Sequence, residues 1–240
     1  MSAATATLPR WFAAWGVHLL TASSAPAGML AILAAERGDP ATAMWWMAYT
    51  VAVDSVDGTL ARAVGVKQVL PWFDGTRLDD VVDYFTWVIV PALFMLWTDL
   101  LPPGVAVPLA GAVAVASAYQ FCRTDAKTSD HYFTGFPSYW NIVAFYLYAL
   151  GWSTAANAAV VATFAVLIFV PIRYVYPSRT TTLRALTVGL GLAWAAAVLV
   201  ALFQILRDGV ASRPLVVGSL LFPVYYGALS LFLTRERGTG

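Results

Sequence analysis

Six of the 13 acidic residues fall in one short window: Asp54, Asp57, Asp74, Asp79, Asp80 and Asp83. Several interrupt apolar runs. An Asp at the centre of a bilayer helix costs roughly 2.5–3.5 kcal/mol on insertion scales, too much for packing alone to explain a group of them. One such residue reads as a polar contact joining two helices; a set at helical spacing reads as chemistry. Asp54, Asp57, Gly58 and Ala61 stand at i, i+3, i+4 and i+7 on one helix face, with Arg62 one turn beyond Gly58. Asp79 and Asp83 stand at i and i+4, with Gly75 one turn before Asp79. Converging carboxylates repel one another unless cations sit between them. All-oxygen ligands select hard ions, Mg2+, Mn2+ or Ca2+. Two metals about 3.5–4 Å apart are a common device for clamping a phosphate during in-line displacement. Gly58 and Ala61 let a bulky ligand approach the helix backbone, and the Arg62 guanidinium suits phosphate oxygens. The expected ligand is a pyrophosphate.

Membrane helices must position these residues. Of 240 residues, 60% are hydrophobic and 11% charged, less than half the roughly 25% charged residues of a soluble domain. Scarce charge and a 14% aromatic content exclude disorder. The single Cys122 excludes a disulfide scaffold. A net charge of +1 excludes a basic nucleic-acid binder. Unbroken apolar runs exclude an outer-membrane β-barrel, whose strands alternate. The expectation is an all-α, polytopic membrane helical bundle forming one integral membrane domain over 1–240. About eight transmembrane helices are predicted, over 11–35, 41–63, 78–97, 105–121, 137–151, 155–170, 183–206 and 215–234. Turn residues separate them at 38–40, 102–104 and 177–178. Only Arg10 precedes the first run as a basic residue, and that run is too long for a signal core, so it is expected to stay in the membrane.

Lys and Arg set the predicted orientation. Arg10, Arg62, Lys67, Arg77, Arg123, Lys127, Arg173, Arg179, Arg184, Arg235 and Arg237 fall on one side, and only Arg37, Arg207 and Arg213 on the other. Both termini are therefore expected in the cytoplasm. The second span runs toward the cytoplasm and the third runs back, so both carboxylate sets lie near the cytoplasmic face on adjacent antiparallel helices.

From Asp54 to Asp83 the pattern is D-x2-D-G-x2-A-R-x12-G-x3-D-x3-D. It resembles the signature of the CDP-alcohol phosphotransferases, integral membrane enzymes that move a phosphatidyl or phosphoryl group from a CDP-linked donor to an alcohol. The twelve residues between Arg62 and Gly75 exceed the gap in most of that family. With eight spans, the long gap resembles the bacterial branch that makes phosphatidylcholine. The segments V-H-L-L-T-A-S at 17–23, V-K-Q-V-L-P at 66–71, G-F-P-S-Y-W-N at 135–141 and F-V-P-I-R-Y-V-Y-P at 169–177 extend the likeness. One position departs, with Tyr176 standing where His is expected.

The resemblance implies two divalent ions, Mn2+ or Mg2+, held by Asp54, Asp57, Asp79 and Asp83, with Asp83 also the general base. It implies CDP binding at Asp54, Gly58, Ala61, Arg62 and Gly75. Asp74 and Asp80 lie outside the motif and read as a loop cap and a solvated or supporting carboxylate. The implied reaction joins CDP-diacylglycerol and choline to give phosphatidylcholine and CMP. The implied setting is the bacterial inner membrane, multi-pass, with membrane lipid as partner and no nucleic acid. Homodimers are common in the resembled family, and an apolar surface on the last two spans would permit one.

A quaternary ammonium cannot donate a hydrogen bond, and aromatic faces usually bind it. Tyr84, Trp87, Tyr119, Tyr139, Trp140, Tyr174 and Tyr176 share the depth of the carboxylates and are choline-binding candidates, with Asn141 beside them. The competing reading of such rings is an interfacial aromatic belt. His18 is expected to make an interhelical hydrogen bond. Two other functions are open. The same chemistry could serve serine, ethanolamine or a methylated relative. A cation-coupled transporter also uses intramembrane carboxylates, but transporters usually show two related halves with broken helices, whereas here the acids sit in one helix pair.

Overall fold

The computed structural model describes residues 8–125, 132–175 and 183–237. The chain opens on two long helices, α1 (Leu8–Glu36) and α2 (Pro40–Val64). Asp39 caps α2 by accepting from the Thr42 amide at 3.0 Å, and Pro40 follows where its missing N–H costs nothing. Gly65, left-handed at φ 72°, ends α2. One turn, α3 (Val66–Val69), leads into α4 (Gly75–Tyr84). Asp74 caps α4 by accepting from the amides of Thr76 and Arg77, both at 3.1 Å, as its position outside the motif implied.

α4 does not stop at Tyr84. It widens into a π turn over Phe85–Ile89 and continues as α5 (Val90–Trp97). Pro91 has no amide to offer the preceding turn, and the helix loosens in front of it. α1 passes close by: a Cβ at Gly28 would lie 2.7 Å from the Phe85 ring and 2.9 Å from Val90. The remaining helices are α6 (Pro103–Cys122), α7 (Trp140–Leu150), α8 (Thr154–Leu167), α9 (Arg184–Asp208), α10 (Arg213–Ser219) and α11 (Leu221–Arg237).

The helical bundle carries one addition that periodicity did not announce. β1 (Tyr132–Thr134) and β2 (Arg173–Val175) pair antiparallel, with Phe133 opposite Tyr174. The ribbon ties the segment before α7 to the segment after α8. α11 covers the outer edge of β2: Ser230 and Thr234 hydroxyls accept from the Val175 and Arg173 amides at 3.2 and 2.9 Å, and the Tyr226 hydroxyl donates to the Val175 carbonyl at 3.0 Å. A strand edge inside an apolar bundle would otherwise hold unsatisfied backbone groups. At the ribbon's end Gly135 sits at φ 82°, and a Cβ there would run into the Ile168 carbonyl, so only glycine fits.

Five helices among the described residues are long and apolar enough to cross a membrane: α1, the α4–α5 run, α6, α9 and the α10–α11 run. Among the described residues the chain is therefore all-helical apart from the ribbon, a multi-pass membrane protein. The predicted count of about eight is not reached by that measure. α2 has the length, but Asp54, Asp57 and Arg62 reduce its apolarity. α7 and α8 have 11 and 14 residues, and at about 1.5 Å per residue they fall short of the roughly 30 Å hydrocarbon core. The main core joins α1, α2 and α5 through α10; a small second cluster, Ala14, Val17, Val66 and Leu70, seats α3 against α1.

Candidate active site

α2 and α4 bring their carboxylates together as the spacing requires. Asp54, Asp57 and Asp79 each present an oxygen within 4.8 Å of the others. Asp57 is only 5% exposed, and its Oδ2 accepts a 2.7 Å hydrogen bond from the Thr21 hydroxyl of α1. Asp83 lies one turn beyond Asp79 on α4 and is not among these three. Three carboxylates this close form a hard, all-oxygen donor set, and the arrangement fits a divalent cation such as Mg2+ or Mn2+.

A cavity of about 430 Å3 adjoins them. Its walls are Val17, His18 and Thr21 of α1, Asp57, Gly58, Ala61 and Arg62 of α2, Gly65 through Gln68, Phe73, and Gly75, Thr76 and Asp79 of α4. The four small or basic positions of the motif, Gly58, Ala61, Arg62 and Gly75, thus share one space with two of the acids. Arg62 folds back along α2, donating to the Thr59 hydroxyl at 2.9 Å and passing over Gly58. Carboxylates and the cations Arg62 and Lys67 face the same cavity, an arrangement that suits a metal-bound polyphosphate.

Thr21 did not stand out as a site residue, although the 17–23 segment contained it. Its hydroxyl fixes the orientation of a buried carboxylate, and such charge-assisted bonds contribute about 1.5–3 kcal/mol. Thr21→Val should weaken Mn2+ binding about ten- to hundredfold on that scale, whereas Thr21→Ser should retain it; a Mn2+ titration of the purified protein measures both. Equal affinity in Thr21→Val would show that the bond is only an interhelical tie.

The aromatic candidates divide. Tyr84 donates to the Ala114 carbonyl at 3.1 Å. Tyr119 is 48% exposed and lies under the Arg123 guanidinium. Trp140 is fully buried, its indole N–H donating to the Ser117 hydroxyl at 2.8 Å. Trp87 and Tyr139 meet at 5.6 Å between ring centroids, Tyr139 meets Tyr226 at 6.3 Å, and Tyr226 stacks on Tyr174 at 6.0 Å. Tyr226 was missed because it lies far along the chain, on α11, which packs against β2. Asn141 is buried with neither amide atom hydrogen-bonded. Tyr176 lies outside the described residues. His18 does not make the expected interhelical bond through Nε2, which is buried without a partner.

Fold and site define a polytopic membrane enzyme built around converging carboxylates. No family model matches the chain. It is 50% identical over 174 residues to a phosphatidylcholine synthase of Legionella pneumophila, covering 72% of this chain and 68% of that protein. It is 38% identical to one of Pseudomonas aeruginosa, covering 75% and 76%. A phosphatidylcholine synthase of Borreliella burgdorferi is 32% identical over 93% of this chain and 95% of its own. The chain belongs to the phosphatidylcholine synthase family.

Proposed function

We propose that this protein transfers the phosphatidyl group of CDP-diacylglycerol to choline, giving phosphatidylcholine and CMP. The convergence of Asp54, Asp57 and Asp79 beside a cavity lined by Gly58, Ala61, Arg62 and Gly75 carries the reading. Two divalent ions, Mn2+ or Mg2+, held by Asp54, Asp57, Asp79 and Asp83, would neutralise the diphosphate and the departing CMP. Arg62 holds nucleotide phosphate oxygens. Gly58 and Ala61 leave the diphosphate room against α2. Asp83 takes the proton of the choline hydroxyl as its oxygen attacks the β-phosphorus, and the bond from that phosphorus to CMP breaks.

The acceptor belongs on the far side of Asp83 from Asp79. Trp87 follows Asp83 by four residues on the same helix face, and through Tyr139 it joins the Tyr226–Tyr174 stack. A quaternary ammonium at these rings gains roughly 0.5–2 kcal/mol per face. Replacing Tyr139 and Tyr226 by Leu should raise the choline KM about 2- to 30-fold per ring on that scale, while the KM for CDP-diacylglycerol holds. An unchanged choline KM would remove the ammonium from this cluster.

α2, α7 and α8 are the remaining crossings of an eight-span chain, the short α7 and α8 lengthened by the segments that flank them. The excess of Lys and Arg on one side supports an orientation with both termini in the cytoplasm of a bacterial inner-membrane protein and the site near that face. The deciding experiment offers the detergent-solubilised protein labelled CDP-diacylglycerol, Mn2+ and a panel of choline, serine, ethanolamine and its methylated forms. Choline should release CMP fastest. Faster release with serine would reassign the acceptor; no release with any alcohol would return the carboxylates to ion transport.

A further inference from the structure

Deepening the phosphatidyltransferase reading, on which it rests, we propose that His18 binds the cytidine of the donor through Nε2, and that Gly75 serves the nucleotide by making room for that imidazole. His18 lies outside the acidic motif, on α1. It is 95% buried, being 5% exposed, and lines the same cavity as Asp57, Arg62 and Asp79. Its Nε2 has no hydrogen-bond partner. A buried nitrogen in that condition carries a desolvation cost that nothing in the protein offsets, so a bound molecule that reaches it gains the bond at little further cost. A neutral imidazole offers one donor and one acceptor. A metal is not that molecule, because the carboxylates close enough to share one are Asp54, Asp57 and Asp79, without His18.

The surroundings match a pyrimidine nucleoside. The His18 ring lies 4.5 Å from that of Phe73, which also lines the cavity, so this wall is aromatic with one polar edge. Bases stack on such walls. The diphosphate belongs with the carboxylates and Arg62, which leaves the aromatic wall to the nucleoside. Gly75 opens α4 directly against the imidazole: a Cβ there would lie 2.5 Å from His18 Cε1 and 3.2 Å from Nδ1. The three atoms nearest to that position all belong to the imidazole. The glycine of the motif is therefore needed for the histidine, and a methyl would drive the ring out of its seat.

Calorimetric titration of the detergent-solubilised protein with CMP in saturating Mn2+ tests this. His18→Phe, which keeps an aromatic ring without the nitrogen, should bind CMP about tenfold more weakly with Mn2+ affinity unchanged. His18→Gln, which returns an amide near Nε2, should bind close to the wild type. Gly75→Ala should weaken CMP as His18→Phe does, and should add little in a His18→Ala background. Wild-type CMP affinity in His18→Phe overturns the inference, as does a Gly75→Ala cost that persists without His18. A wild-type protein that ignores CMP overturns the phosphatidyltransferase reading itself, and this inference with it.

Discussion

Asp79→Asn is expected to lose Mn2+ binding and turnover together. Asp54 and Asp57 both come from α2; Asp79 is the one member of the close carboxylate group supplied by α4. It therefore closes the site between two helices. Asparagine keeps the volume and a neutral oxygen but removes the charge that a hard cation requires. The fold should survive, since a neutral residue facing two carboxylates relieves repulsion. Metal assistance to phosphoryl transfer is worth several kcal/mol, and each 1.36 kcal/mol is tenfold in rate, so CMP release should fall by more than about a thousandfold. EDTA should do the same to the wild type and added Mn2+ should reverse it, whereas Mn2+ should not rescue Asp79→Asn. Wild-type metal affinity in Asp79→Asn would falsify the carboxylate site as a metal centre.

The carboxylate core of the site was legible because it is local. Asp54, Asp57, Gly58 and Ala61 share a face by helical period alone, and Gly75, Asp79 and Asp83 do so on the next long helix. A short linker joins the two helices, which leaves few ways for the faces not to meet. Asp74 was readable as a cap for the same reason, since a capping side chain acts two or three residues ahead of itself. What escaped depends on contacts distant in sequence. Thr21 and His18 look like ordinary polar residues of an apolar helix until α1 is laid along α2 and α4. The seven-residue segment that contains both carried the resemblance, so a signal existed without a role attached to it. Tyr226 joins the other tyrosines where α11 packs against the ribbon, whose strands of three residues are too short to show a period. The span count differed because hydropathy and length are averages: α2 carries Asp54, Asp57 and Arg62, and α7 and α8 are too short to span an unthinned bilayer alone.

Asp83→Asn should separate proton transfer from binding. Asp83 stands one turn beyond Asp79, about 6 Å further along α4, and outside the close group of three. One more turn on that face is Trp87, the first ring of the cluster proposed for the acceptor. In the proposed reaction Asp83 therefore lies where the phosphate end of the site gives way to the aromatic end, the position assigned there to the attacking hydroxyl. An alcohol loses its proton late in displacement at phosphorus, as its oxygen becomes bonded, and a positioned carboxylate that receives it contributes typically about 10²–10⁴-fold. Asp83→Asn should lower kcat by about that factor, with CMP binding kept and Mn2+ affinity reduced less than in Asp79→Asn. Asp83→Glu, which restores the carboxylate at a displaced position, should recover part of the rate. The contrast between the two aspartates is the informative result. If Asp83→Asn loses metal affinity as fully as Asp79→Asn, Asp83 is a ligand first and the base lies elsewhere; if it turns over normally, it is neither.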